Sequence, residues 1–331
     1  MRIAASAPGK FVLSGEYAVL DGAPAVCVAV DRRAVVTIEG HGGDHHVVTA
    51  PGFSTMPGRF TVESGELCWL AGGQDFGLFE TVWNASRPAP AESPLAFSLD
   101  TALFRDAGSG RKIGLGSSAA LTAAVATALH SLGGAGAAPV AHAAHRQFQD
   151  GSGSGVDIAC SIAGGVIEYR MADHHATPMK WPDGLYFSVL WSGVATGTRG
   201  KLARFGEQPA SPSRHELSKV SQAVVDVFAS SGEAPAVIAE LGRYTRALQR
   251  FDEAHGLGIF AAGHAALTEQ AASEGLVYKP CGAGGGDIGV VLATSRASLA
   301  SFGKSAARSG FTRLELSIDP RGAMLHDEDE P

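Results

Sequence analysis

The stretch Lys112-Ile-Gly-Leu-Gly-Ser-Ser-Ala-Ala120 runs without a break into Leu121-Thr-Ala-Ala-Val-Ala-Thr-Ala-Leu129. It constrains the fold more than any other part of the chain. Gly114 and Gly116 remove side chains where a backbone can approach a ligand, Ser117 and Ser118 suit a helix start, and alanines propagate the helix. The first N–H groups of a helix lack intrahelical partners and carry the positive end of its dipole, so such a loop can cradle a phosphate. A serine hydroxyl there can also join the shell of a Mg²⁺ ion. The structural alternative is a Gly-Ser loop that only caps a core helix. Neither the P-loop spacing nor Gly-x-Gly-x-x-Gly is present.

At 331 residues the chain suits two domains with ample core. Its 45% apolar and 18% charged residues are those of a globular protein. The 26 basic against 33 acidic residues leave a net charge of −7, which argues against a nucleic-acid or membrane-surface partner, whose footprint would be basic. Cations that meet an anionic ligand must therefore be local. Cys27, Cys68, Cys160 and Cys281 are widely spaced among small or apolar residues, which predicts free thiols in a reducing compartment. The N-terminus lacks a long apolar signal region, and no run reaches the roughly 18 apolar residues of a membrane span. A cytoplasmic protein is expected.

In chain order, a short strand over 2–7 is expected to break at Pro8-Gly9 before a second extended piece over 10–13. Apolar runs predict strands over 25–30 and 34–38. Lys10 reads either as a solvated edge charge or as a cation that stabilises a moving phosphoryl group. Residues 40–56, with His41, His45 and His46, read as a solvated hairpin loop rather than a metal site. A helix is predicted around 79–84, then a strand over 95–100. In the helix after Ser118, Leu121, Val125, Leu129 and Leu132 mark one apolar face.

A second helix over 141–149 ends at the loop Gly151-Ser-Gly-Ser-Gly155, beyond which stands Asp157. Its carboxylate reads as a general base, as a partner for Lys10, or as a helix N-cap. The irregular stretch 171–184 is the expected domain boundary. Beyond it come a strand over 185–191, a loop carrying Arg199 and Lys201, helices over 214–230, 235–252 and 264–274, the glycine loop 282–286 feeding a strand over 288–292, and a last helix and strand over 299–307 and 314–318. The acidic tail from His326 is expected to be solvated.

Three ordered motifs now stand out: Ala7-Pro-Gly-Lys10 with Gly15-Glu16-Tyr17, then Gly114-Leu-Gly-Ser-Ser-Ala119, then Gly282-Ala-Gly-Gly-Gly-Asp287. Together they resemble the GHMP small-molecule kinase superfamily across nearly the whole chain. Within it, Gln147-Phe-Gln149 before Gly153-Ser-Gly-Val-Asp157, Trp191-Ser-Gly-Val-Ala195, Phe251-Asp-Glu-Ala-His-Gly256 and Tyr278-Lys-Pro-Cys281 are most similar to phosphomevalonate kinases. Mevalonate kinases typically show Gly-Glu-His where this chain has Gly15-Glu16-Tyr17, and a glutamate where it has Gln147 and Gln149. The resemblance implies an α/β (α+β) fold with a ribosomal protein S5-like N-terminal domain, 1–175, and a ferredoxin-like C-terminal domain, 176–331.

The resemblance also implies ATP and Mg²⁺ as cofactors and a small anionic acceptor, 5-phosphomevalonate or mevalonate, in a monomer or homodimer. Lys10 and Asp157 would be catalytic. Lys112, Gly114, Leu115, Gly116, Ser117, Ser118, Ala119 and Asn84 would bind the nucleotide, Ser118 also the metal. Glu16, Tyr17, Ser152, Ser154, Gly155, Arg199, Gly282, Ala283 and Gly284 would hold the acceptor. A mevalonate hydroxyl, a poor nucleophile, would benefit from Asp157 as base, whereas a phosphate acceptor, with a second pKa near ~6, is already anionic and needs cations. A kinase of another small hydroxy acid and a non-catalytic kinase-fold sensor are the remaining readings.

Overall fold

The computed structural model describes residues 2–327 except 152, 198–199, 202–204, 207–209 and 231. The N-terminal apolar runs form a pair of long antiparallel strands, β1 (Arg2–Ser14) and β2 (Ala25–Gly40). Pro8-Gly9 does not break the first of them. Pro8 lies opposite Arg33 and Gly9 opposite Val30, so Asp31 and Arg32 bulge from β2. The bulge absorbs the missing proline N–H, and the pairing continues on both sides.

β3 (His46–Thr49), β4 (Gly58–Glu63), β5 (Glu66–Ala71), β6 (Leu95–Asp100), β7 (Val166–Arg170) and β8 (His175–Met179) complete most of the first sheet. Its order is β13-β1-β2-β6-β3-β4-β5, with β7 on β2 and β8 on β7; β13 (Met324–His326) comes from the far end of the chain. The expected loop over 40–56 thus contains a strand. His46 stacks on Phe60 and its Nδ1 accepts the Leu95 N–H at 3.0 Å, a packing role. The tail is likewise partly structured, since His326 sits in β13 with its Nε2 2.7 Å from Ser6 Oγ; residues 328–331 lie outside the described set.

Four helices cover this sheet: α1 (Gly77–Ser86), α2 (Ser117–Ser131), α3 (Ala137–Phe148) and α4 (Val156–Ala163). The single apolar stripe expected on α2 is replaced by burial on most sides. Ala119, Ala120, Ala123, Ala124, Ala126 and Ala128 are buried with Val125 and Leu129. A helix wedged among a sheet and three other helices needs small residues all round, and alanine supplies them without loss of helix propensity.

The second sheet has the order β10-β11-β9-β12, all antiparallel, from β9 (Tyr186–Trp191), β10 (Val277–Pro280), β11 (Ile288–Ala293) and β12 (Thr312–Leu314). Helices α5 (Pro212–Ser230), α6 (Ala234–His255), α7 (His264–Ser273) and α8 (Arg296–Arg308) accompany it. The strand expected over 314–318 is β12, which lies earlier and overlaps that stretch only at Leu314. One apolar cluster joins the sheets: Phe11, Leu13 and Val28 belong to the same core as Trp191, Leu241, Phe251 and Val290. Each such side chain contributes on the order of 1.5–3 kcal/mol when fully buried.

The chain passes from one sheet to the other between β8 and β9 and returns before β13. Arg33 pins that return. Its guanidinium pairs with Asp319 and donates to Ser6 Oγ at 2.8 Å and to the Arg321 and Gly322 carbonyls at 3.1 and 2.7 Å.

Candidate active site

A cavity of about 400 Å³ opens where the sheets meet, lined by Lys10, Glu16 and Tyr17, by 112, 114, 116 and 118, by 153–157, and by 281–283 and Asp287. Three sequence motifs thus converge on one space. Gly116 is the N-cap of α2 in the left-handed conformation, and Ser117 and Ser118 open the first turn. Its free N–H groups make that end an anion site. Lys10 N–H donates to the Leu115 carbonyl at 2.9 Å, which stitches this loop to β1. The side chains of Leu115 and Ala119 are fully buried, so what these two residues present to the cavity is backbone.

Both cradle positions favour glycine. A Cβ on Gly114, at φ +101°, would lie 2.5 Å from Asp287 Cβ, and one on Gly116, at φ +77°, would lie 2.9 Å from Lys10 Cε. The loop is therefore clasped between a lysine of the first sheet and an aspartate of the second.

Lys10 Nζ and Asp157 Oδ1 are 2.9 Å apart. Gly155 is the N-cap of α4, so Asp157 stands inside the first turn and is not a capping residue. Burial alone would lower the Lys10 ammonium, but the adjacent Asp157 carboxylate outweighs it and raises the group above its usual value. For Asp157, burial pushes upward and is overcome by Lys10, which holds the carboxyl below its ordinary value. The helix N-terminus favours the same ionised form.

His145 of α3 is a site residue that sequence reasoning missed. It is 3% exposed, lines the cavity, and its Nε2 is 3.3 Å from Ser118 Oγ. Burial lowers its pKa, opposed by Asp157 and reinforced by Lys10 and Lys112. Its only sequence signal was a place on the helix before the glycine-serine loop. Asp287 was quoted within a motif but given no role. It holds a left-handed φ of 52° and accepts the Thr196 N–H at 3.4 Å, and burial raises its carboxyl.

On the opposite wall, Tyr17 donates its hydroxyl to the Ala283 carbonyl at 2.8 Å. Ser154 Oγ accepts the Val156 N–H at 3.3 Å, and its carbonyl accepts the Tyr169 hydroxyl at 2.6 Å. Val12, Val19, Leu20 and Phe148 add apolar surface. The glycine loop 282–286 is fastened from behind. His264 Nε2 meets the Gly286 carbonyl at 3.1 Å, so it carries the proton, and Nδ1 accepts from the Tyr278 hydroxyl at 2.7 Å. Lys201 donates to the Gly258 and Gly284 carbonyls at 3.1 and 2.7 Å.

Some expected site residues lie elsewhere. Asn84 does not line the cavity; its side chain accepts the Leu67 N–H of β5 at 3.0 Å. Gly284 is buried against Ile259. Glu16 does line the cavity, yet both of its carboxylate oxygens are taken by Tyr244 and Lys279. Ser152 and Arg199 lie outside the described residues. Among the described residues no group of three or more His, Cys, Asp or Glu is gathered as a metal site, and no helix is long and apolar enough to cross a membrane.

No protein-family model matches the chain. It is 31% identical to the phosphomevalonate kinase of Streptomyces sp. strain CL190, over 88% of this chain and 90% of that protein. The chain belongs to the GHMP kinase family. Within that family it is most like phosphomevalonate kinase, and it is a phosphotransferase of the mevalonate pathway. The mevalonate kinase of Methanothermobacter thermautotrophicus is 34% identical over 50% of each chain. A structure of Streptococcus pneumoniae phosphomevalonate kinase in complex with phosphomevalonate and AMPPNP superimposes with a TM-score of 0.78 at 18% identity, covering 95% of this chain and 99% of that one. The GHMP kinase fold expected from the motifs is thereby shown, and membership implies ATP as donor.

Proposed function

We propose that this GHMP kinase transfers the γ-phosphoryl group of ATP to the phosphate of 5-phosphomevalonate, giving 5-diphosphomevalonate and ADP. The observation that carries the reading is the Lys10–Asp157 pair. The carboxylate is held ionised against a buried ammonium that lines the cavity, so a fixed cation stands where a phosphate acceptor needs one. A hydroxyl acceptor would use Asp157 as base; a phosphate, anionic at neutral pH, needs none and needs only that Asp157 hold Lys10 in place. The high overall likeness to a Streptomyces phosphomevalonate kinase and the complex named for the Streptococcus protein support the same acceptor.

In this reading the head of α2 and Lys112 hold the nucleotide phosphates, and Lys10 offsets charge on the transferred group while Asp157 fixes its ammonium. The Ser118 hydroxyl is a hard oxygen donor beside that phosphate site, and so fits Mg²⁺, which would draw most of its shell from phosphate oxygens and water. Bound there, the ion supplies positive charge to the β- and γ-phosphates. Tyr17, Ser154, Gly155, Gly282 and Ala283 would border the acceptor, with Val19, Leu20 and Phe148 against its carbon skeleton. Four unpaired cysteines suit the reducing cytoplasm.

The deciding experiment is ADP release with Mg-ATP and 5-phosphomevalonate or mevalonate in parallel. Turnover with the phosphorylated acceptor alone is expected. Turnover with mevalonate instead would overturn the acceptor and make Asp157 the base; none with either would leave a kinase of another small acceptor or the sensor reading.

A further inference from the structure

We infer that Glu16, Lys279 and Tyr244 form a buried latch between the two lobes that positions the acceptor wall of the cavity, and that Glu16 acts as a positioning residue rather than a substrate ligand. Glu16 follows β1, Tyr244 stands on α6 and Lys279 on β10, so the three come from separate elements. Tyr244 donates to Glu16 Oε2 at 2.6 Å, and the Lys279 ammonium pairs with Oε1. The remaining capacity is used locally: Lys279 also donates to the Val12 carbonyl at 3.3 Å, and Tyr244 Oη accepts the Gly15 N–H at 3.0 Å. The side chains of Lys279 and Glu16 are 0% and 2% exposed.

Burying two charges is costly, and a purely adhesive contact between lobes is made better by apolar side chains. A satisfied ionic network supplies register instead. The register it sets here is read off the neighbouring residues. Glu16 ties down Lys279, and the next residue, Tyr17, ties down Ala283 through its hydroxyl. One dipeptide of the first lobe therefore grips both ends of 279–283, and Cys281, Gly282 and Ala283 line the cavity within that span. The nucleotide side is stitched independently, through the Lys10 N–H and the Leu115 carbonyl. Loosening the latch thus moves the acceptor wall and leaves the cradle in place.

This inference rests on the proposed function for the identity of the acceptor, so its test includes a readout that does not. Tyr244→Phe removes one hydroxyl and keeps the packing. Lys279→Met strands a buried carboxylate, so it is paired with the doubly neutral variant Glu16→Gln/Lys279→Met. Both Tyr244→Phe and the double variant are expected to raise KM for 5-phosphomevalonate about tenfold or more. The dissociation constant for AMPPNP, measured by calorimetry, stays within about twofold, and amide hydrogen exchange rises over 279–285 but not over 113–120.

Wild-type KM and wild-type exchange over 279–285 in both variants would overturn the latch, as would an equal loss of nucleotide affinity. If the wild-type enzyme does not use 5-phosphomevalonate, the proposed function fails. Hydrogen exchange alone then decides: a rise confined to 279–285 supports the latch, and an unchanged pattern overturns it.

Discussion

The ammonium of Lys10 on β1 and the carboxylate of Asp157 at the head of α4 stand 2.9 Å apart, the lysine side chain 8% and the aspartate 33% exposed. Asp157 therefore has one side on Lys10 and another open to the cavity, which lets it aim the ammonium without being consumed by it. With a phosphate acceptor, Lys10→Met should lower kcat about hundred- to thousandfold while calorimetry still detects Mg-ATP binding. Asp157→Asn should cost less, up to about hundredfold, because it loosens the aim of a cation that remains. A larger loss in Asp157→Asn than in Lys10→Met, measured by coupled ADP release, would contradict the assignment.

Gly116→Ala probes the same lysine from behind. The new methyl would lie 2.9 Å from Lys10 Cε at a φ of +77°. The left-handed conformation alone should cost about 1–2 kcal/mol in thermal denaturation. Displacement of the ammonium should reduce kcat by more than the lost stability accounts for at a temperature where the variant is fully folded.

Stability should fall in mild acid through His264. Burial holds this imidazole down to about 4, against 6.5 as the ordinary value. Between those values the unfolded chain takes up a proton that the native state refuses, so stability drops as pH falls from 6.5 towards 4 and levels off below. The window contributes up to about 3 kcal/mol at full width. Melting temperatures at pH 7 and pH 5 should differ less in His264→Gln than in the wild type, and equal slopes would remove His264 as the cause.

Arg33→Met should release the end of the chain. Removing the guanidinium leaves Asp319, 4% exposed, with only the longer, solvent-exposed contact to Arg321 at 3.7 Å, a loss of up to about 3–5 kcal/mol for a buried pair. Hydrogen exchange over 319–326 is expected to rise to the level of exposed loops, and protection equal to wild type would show that β13 holds without it.

How much of this was legible beforehand follows from the range of each interaction. The cradle at 114–118, Lys10 and Asp157 were legible because each carries a local signature, whether glycine spacing, a helix start, or a charge beside a loop. Most helices were legible for the same reason. The Pro8-Gly9 break was misread because the bulge that absorbs it lies on the partner strand, at Asp31 and Arg32. Asn84 was misplaced because nothing in its own segment says that β5 will offer it the Leu67 N–H. Glu16 looked free for a ligand because its partners, Tyr244 and Lys279, lie far along the chain. His145 was missed because a histidine on an amphipathic helix is ordinary until Ser118 is found beside it.

The strand β13, paired with β1 through Ala4 opposite His326 and Ser6 opposite Met324, changes how the halves of this enzyme relate. The second lobe is not appended to the first but inserted into it, tethered by an outgoing and a returning strap. A lobe on one linker can swivel; a lobe on two can only rock about the line between them. The approach of the two cavity walls is thereby more constrained than a single linker would leave it.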